Sequence, residues 1–361
     1  MPLDRRHFLV AVPAALAACA QPQHHAQHAV HAPLYERLDA PGRIARPEGA
    51  AQPNVFDSPA PRAASPGRWI ARAPLPLPRS EMAWAVAMAG RMHLVGGYGE
   101  QRVDRAYHHV YDPQRDAWSD AAPLPLGANH VGVAVLGDSL LAIGGFVEQN
   151  RKPHAECFAW SSREDRWRRI APLPQPCGSV ACVVLDGRLH GIGGAVGDTF
   201  AAKRSVDWHV VYDARADAWT RAAPLPTARD HVGAVVANGR VHVIGGRVDS
   251  FHTNSNLHHT YDAGADQWTQ RNPLPTARSG HGAVLVGQRI FVMGGEGTNR
   301  VYGQNEAYDL ANDRWEQFAP MATPRHGLGA AAIGNTIYVA GGGPVMGGGV
   351  QSAVHEAFVV P

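Results

Sequence analysis

Arginine recurs at one position of this 361-residue chain. Counting three residues past each Pro-Leu-Pro gives Arg79, Ala128, Cys177, Arg229 and Arg278, and the matching triplet Pro320-Met321-Ala322 leads in the same way to Arg325. A guanidinium fork fits a carboxylate bidentately, so Arg79, Arg229, Arg278 and Arg325 are candidates for binding a carboxylate. The same donors could instead bond loop carbonyls and keep neighbouring segments in register. Two residues further on stand Glu81, His130, Ser179, His231, Gly280 and Gly327, with His281 and His326 one position off. Glu81, His130 and His231 could supply acid–base groups or ligands, although 20 His in one chain guarantee some coincidences. His252, Asn254 and Glu306 are further binding candidates from polar segments later in the repeat. No catalytic residue is singled out. Cys pairs at zinc spacing, His-Glu-x-x-His, a phosphate-binding Gly-Lys loop and Gly-x-Ser-x-Gly are all absent, so no metal and no other cofactor is implied.

These residues sit in a unit that repeats. From Tyr212 to Gly246 the chain reads Tyr-Asp, a Trp, Ala-Pro-Leu-Pro, Thr-Ala-Arg, an apolar run and Gly-Gly. Trp recurs at Trp69, Trp118, Trp167, Trp219, Trp268 and Trp315, at intervals of 49, 49, 52, 49 and 47 residues, and Gly pairs begin at Gly96, Gly144, Gly193, Gly245, Gly294 and Gly341. Within each unit a small apolar segment (Gly233–Ala237, Gly282–Val286) precedes a two-residue turn signal such as Asn238-Gly239 or Asp186-Gly187. An alternating segment such as Arg240–Ile244 follows and ends at the Gly pair. This is hairpin chemistry. A variable polar loop, a strand ending in Tyr-Asp and an outer strand carrying the Trp complete four strands. The unit at residues 157–167 is degenerate, with Trp160-Ser161 in place of Tyr-Asp.

A period near 50 with Gly-Gly and a spaced Trp resembles the kelch repeat, in which each copy is one blade of a β-propeller. The resemblance covers residues 67–361 and implies an all-β fold: a six-bladed kelch-type β-propeller of four antiparallel strands per blade. After Gly341-Gly342 no further Trp follows, so the last blade takes its outer strand from Arg68-Trp69-Ile70-Ala71, which leaves no open sheet edge. In animal kelch adaptor domains an Arg at this point of the repeat lines a pocket for acidic peptides, which implies the same for Arg79, Arg229, Arg278 and Arg325. Kelch-type propellers also include bacterial sialic acid epimerases, which implies a carbohydrate-active alternative with Glu81 or Glu306 as proton carrier. The resemblance extends to galactose oxidase, a copper enzyme with seven blades and a Cys-Tyr crosslink; here the blades number six, and only Cys177 beside His130 and His231 keeps that reading alive. The leading expectation is a binding module for a protein, peptide or acidic glycan at an Arg-lined mouth, with enzymatic activity left open. The Gly-rich run Gly343 to Gly349 offers few side chains, and an open side of the mouth is expected there.

The ends and the charge add their own expectations. Asp4-Arg5-Arg6-His7-Phe8-Leu9 resembles a twin-arginine export signal, and Leu16-Ala17-Ala18-Cys19 resembles a lipobox with Cys19 as the lipidated residue. Residues 1–19 are read as signal, 20–66 as a disordered Ala/Pro/His-rich tether and 67–361 as the propeller. The tether's His24, His25, His28 and His31 read as spacer or as metal capture. Localisation in the periplasm or cell envelope follows, with membrane contact only through the lipid. The formal net charge of +2 excludes the basic field of a nucleic-acid binder, and a monomer is expected. Cys157, Cys177 and Cys182 leave an odd thiol; Cys177 and Cys182 read as opposite faces of one strand, so Cys157 with Cys177 is the pair that could bridge.

Overall fold

The computed structural model describes residues 55–57, 65–82, 84–199 and 201–361. Cys19, the signal segment and most of the tether therefore lie outside the described residues. Six four-stranded antiparallel sheets account for the repeat. Blade one comprises Val86–Met88, Arg91–Val95, His108–Asp112 and Ala117–Ala121 from the axis outward. Blade four comprises Gly233–Ala237, Arg240–Ile244, His258–Asp262 and Gln267–Arg271, with the inner and second strands at the bounds that the pattern predicts. Asn238 and Gly239 both take positive φ, as a two-residue hairpin of this hand requires.

Blade six closes as expected. Its inner three strands are Gly329–Ile333, Thr336–Ala340 and His355–Val359, and Arg68–Ala71 pairs antiparallel outside them, Trp69 facing Phe358. Val55–Asp57, from the stretch read as tether, forms a parallel strand beside Arg300–Tyr302.

The repeat Trp, the aromatic residue of the third strand and an Asp five residues after it staple each blade to the one before it. Every repeat Trp faces the aromatic residue of the third strand, as in Tyr212 opposite Trp219. Each Trp indole N–H donates to a backbone carbonyl of the preceding blade, at 2.7–3.0 Å: Trp118 to Ala73, Trp167 to Ala122, Trp219 to Ala171, Trp268 to Ala223, Trp315 to Asn272 and Trp69 to Ala319. Five of these six carbonyl-bearing residues give their own N–H to an Asp, namely Asp116, Asp165, Asp217, Asp266 and Asp313. Those Asp in turn accept from Tyr111, Trp160, Tyr212, Tyr261 and Tyr308. The degeneracy of blade two is thus only in residue type, because the Trp160 indole replaces the Tyr hydroxyl as donor. In blade six, where Phe358 has no donor, the Pro66 carbonyl takes the Asp's place and accepts from Ala319 N at 3.0 Å.

Candidate functional site

In all six blades, the residue after the repeat Arg position forms an isolated bridge with the residue after the Gly pair: Ser80 with Tyr98, Asn129 with Phe146, Gly178 with Ala195, Asp230 with Arg247, Ser279 with Glu296 and His326 with Gly343. One step further, Glu81, His130, Ser179, His231, Gly280 and Gly327 take φ between 51° and 62°. Four of these are not glycine, and non-glycine residues are uncommon in that region. The turn directs them to the axis, where backbone bonds link His130 N to Glu81 O, Ser179 N to His130 O, Gly280 N to His231 O and Gly327 N to Gly280 O, at 2.8–3.1 Å. The result is a hub across one end of the propeller, in which four of the six neighbouring turns are joined by backbone bonds. A Cβ on Gly327 would lie 2.6 Å from Glu81 Oε2, so this glycine makes room for the carboxylate.

The hub is a buried charge network. Glu81 lies between two imidazoles, Oε1 at 2.9 Å from His326 Nε2 and Oε2 at 3.0 Å from His130 Nε2. His326 Nδ1 faces the Gly343 carbonyl at 2.9 Å, and Nε2 also faces Glu296 Oε2 at 3.4 Å. Both nitrogens thus meet acceptors, which requires the imidazolium. Burial opposes that charge, but Glu296 and Glu81 outweigh it and raise His326 to about 9. Burial likewise opposes ionisation of Glu81, and His326 and His130 still hold it well below the usual carboxylate range.

His231 behaves differently. Its Nδ1 donates to Asp230, and its Nε2 accepts from Arg247 NH2 at 2.8 Å. Burial and the adjacent guanidinium lower it to about 4, so it is neutral. Arg247 also bonds Asp230 Oδ1 at 3.0 Å and Glu296 Oε1 at 2.8 Å, joining blades four and five. Glu81, His130 and His231 each offer a donor atom within 4.8 Å of the others. A metal ion there would nevertheless meet the Arg247 charge beside His231.

The predicted hub residues Glu81, His130 and His231 do converge, but they are buried rather than displayed. Missed were Asp230, Arg247, Glu296 and the role of His326, which occupy the bridge positions. The Gly-rich run does not leave an open side. Gly347 N donates to Glu296 Oε2 at 2.7 Å, and a Cβ on Gly348 would lie 2.6 Å from the Tyr98 ring, so the run packs down over the hub.

The arginine expectation is corrected. Arg79, Arg229, Arg278 and Arg325 are all fully buried and turn into their own blades. Arg229 donates to the Gly245 and Leu257 carbonyls at 2.7 and 2.9 Å and contacts His259 Nδ1 at 2.9 Å; Arg79 repeats this with Gly96, Tyr107 and His109. Arg278 donates to the carbonyls of Gly294, Thr276 and Val292 and pairs with Glu306 at 2.5 Å. Arg325 matches it with Gly341, Thr323, Val339 and Glu356. These groups bond loop carbonyls and hold register, so they do not line a mouth. Glu306, locked to Arg278, is not placed to carry protons to a ligand.

The remaining candidates stand apart. His252 is exposed on the blade-four loop with Nδ1 2.9 Å from Thr298 Oγ1, and Asn254 Nδ2 donates to the Glu296 carbonyl at 2.6 Å. Cys157, Cys177 and Cys182 are buried free thiols. Cys177 precedes the strand Ala181–Leu185 rather than lying on it, and its thiol faces the Gly178 and Gly193 carbonyls rather than the hub His.

The loops after the Gly pairs interlock above the hub. Gln149 N donates to Asp104, Lys203 Nζ to the Asn150 carbonyl, Ser205 N to Asp249, and His252 meets Thr298, so each of these loops holds the next. Exposed side chains on this crown include Arg102, Glu148, Gln149, Arg204 and His252. Val103, 41 % exposed, is the one large apolar side chain exposed among the described residues.

A comparison with curated proteins found no match. A solved structure described as "Structure of YjhT" superposes with a TM-score of 0.67 at 14% identity, over 78% of this chain and 95% of that one, which shows a shared fold. The family model described as the KLHDC2/KLHL20/DRC7 Kelch-repeats domain matches residues 129–343, well over half of the sequence. With six stapled blades and the repeat in register throughout, the chain belongs to this Kelch-repeat family.

Proposed function

We propose that the chain is an exported, lipid-tethered binding module that holds a partner protein or peptide on its loop crown. The observation that carries this reading is the division of labour on that face. The ionisable groups of the hub are sealed and paired with one another, while the interlocked loops above them present exposed side chains from a rigid scaffold, where recognition residues concentrate. Arg102 and Val103, adjacent on the blade-one loop, combine a guanidinium with exposed apolar surface, as interface anchors do. The acidic-ligand form of the reading has lost its carrier, because the four repeat arginines are internal. The loops of blades one to three also mix Arg102, Arg151 and Arg204 with Glu100, Glu148 and Asp198. Export and the lipid at Cys19 rest on the N-terminal motifs of the sequence.

The test is site-directed photo-crosslinking from position 103 in the intact cell envelope, repeated with Arg102→Glu and Arg204→Glu. A discrete crosslinked species, lost in the double variant while its thermal midpoint stays within about 2 °C of wild type, is the expected result; surface substitutions of this kind rarely cost more than about 0.5 kcal/mol. Turnover of N-acetylneuraminic acid that disappears in Glu81→Gln would replace this reading with the carbohydrate-active one.

A further inference from the structure

The repeat arginine is absent from blades two and three, and the two blades answer its absence differently. In blades one, four, five and six the guanidinium meets the second residue of the third strand: His109, His259, Glu306 and Glu356. Blade two has Ala128 with Phe158 at these places, and the phenyl ring, packed in the same core cluster as Ala128, fills the volume. Blade three has Cys177 with Val210, and Gly191 where its siblings carry Val243, Val292 or Val339. All three changes remove atoms. A cavity of about 310 Å³ results, within the range of small-ligand pockets.

Its lining reproduces the acceptor set of the other blades. The carbonyl partners of Arg229 are Gly245 and Leu257, which correspond to Gly193 and Trp208; those of Arg278 are Gly294, Thr276 and Val292, which correspond to Gly193, Gln175 and Gly191. All four counterparts line the cavity, with Leu173, Val180 and Val210 as apolar walls. The Cys177 thiol reaches Gly193 O only at 3.9 Å, where Arg229 approaches Gly245 O at 2.7 Å. The exposed residues of its lining are Pro174, Gln175, Asp207, Arg221 and Pro224, so the cavity reaches the surface between a carboxylate and a guanidinium.

We propose that blade three takes a guanidinium group from outside the chain, the arginine side chain of a partner peptide, into the slot that Arg79, Arg229, Arg278 and Arg325 fill in their own blades. The fork of donors fits because the backbone that receives it elsewhere is repeated here, and the aliphatic stem would lie against Leu173 and Trp208. This inference does not depend on the crown being a partner surface.

Two substitutions push the slot in opposite directions. Cys177→Arg supplies the missing side chain from within, and Val210→Glu supplies the carboxylate that Glu306 and Glu356 provide in blades five and six. The probe is N-acetyl-arginine methylamide, with N-acetyl-lysine methylamide as comparison, titrated calorimetrically into the full chain. Expected are saturable binding of the arginine probe to wild type, a Kd about tenfold lower in Val210→Glu from the added charge-assisted bond, and loss of binding in Cys177→Arg. The lysine probe, lacking the fork, should bind more weakly. Arginine binding that survives Cys177→Arg unchanged, equal binding of the two probes, or no binding in both wild type and Val210→Glu would overturn the proposal. Val210→Glu keeps the test decisive should Cys177→Arg fail to fold.

Discussion

Replacing Arg278 by Met separates a structural arginine from a ligand-binding one. The substitution removes bonds to three backbone carbonyls and to Glu306, and it leaves that carboxylate, 1 % exposed, without its countercharge. Thr276 Oγ1, at 2.8 Å, would remain as a neutral donor. Breaking a buried pair by removing one partner costs about 3–5 kcal/mol. At roughly 2 °C per kcal/mol for a domain of this size, the thermal midpoint should fall by about 6–10 °C. Arg229→Met removes a guanidinium whose side-chain partner is the imidazole of His259, lowered to about 4 by burial and then by Arg229 itself, and therefore neutral. It leaves no orphaned charge, so the loss should be smaller, about 1–3 kcal/mol. Replacing both Arg278 and Glu306 with apolar residues should recover much of the deficit, since paired apolar groups often substitute well for a buried ion pair. Circular dichroism melts at neutral pH read all three. A midpoint for Arg278→Met within about 2 °C of wild type, or a larger loss for Arg229→Met, would refute the reasoning.

Two other perturbations follow from the same geometry. His326 is raised to about 9 in the fold, above its ordinary value, so its stabilisation is full below about pH 6.5 and is lost as pH rises through about 9. His93, His190, His242 and His355 are lowered to about 4, and His108, His258 and His281 to about 3, chiefly by burial, so unfolding takes up protons as pH falls below about 6.5. Stability should therefore peak near pH 6.5, fall toward pH 4 with a slope of about 1.4 kcal/mol per pH unit for each proton taken up, and fall again between about pH 6.5 and 9 as the His326 contribution is lost; His326→Gln should flatten the alkaline limb alone, and unfolding free energies measured from about pH 4 to 9 check both limbs. Trp69→Ala removes the indole bond to Ala319 O and the ring contact with Phe358 at 5.2 Å, and should cost about 3–5 kcal/mol in denaturant unfolding; a midpoint equal to wild type would contradict the seam described here.

Strand bounds, hairpin turns and the closing strand were legible because each depends on local spacing repeated six times. Side-chain direction was not. The donors of an arginine serve a carboxylate or a carbonyl equally well, and whether Arg278 turns to the axis or into its blade depends on the backbone two residues before Gly280. A signal was present all the same: His109, His259, Glu306 and Glu356 stand one residue into the third strand in the four blades with Arg, and Phe158 and Val210 stand there in the two without. The charged partners of the hub escaped for another reason. Asp230 and Arg247, 17 residues apart, meet across the within-blade bridge that recurs in all six blades, but Arg247 and Glu296 are 49 apart and meet only because the ring sets blades four and five side by side.

The seam in blade six has a mechanical consequence. The strand Arg68–Ala71 is the first piece of the ring to feel any pull on the residues that precede it, and the element it pairs with, His355–Val359, ends two residues before the last residue of the sequence. Load entering from the N-terminal side thus bears on the one place where the circle is held by pairing rather than by continuous chain. Trp69 answers it with a hydrogen bond to the neighbouring blade and a ring against Phe358, and Val55–Asp57, paired with Arg300–Tyr302, offers a second point of attachment before the force arrives. The short strand beside blade five then acts as strain relief for the seam.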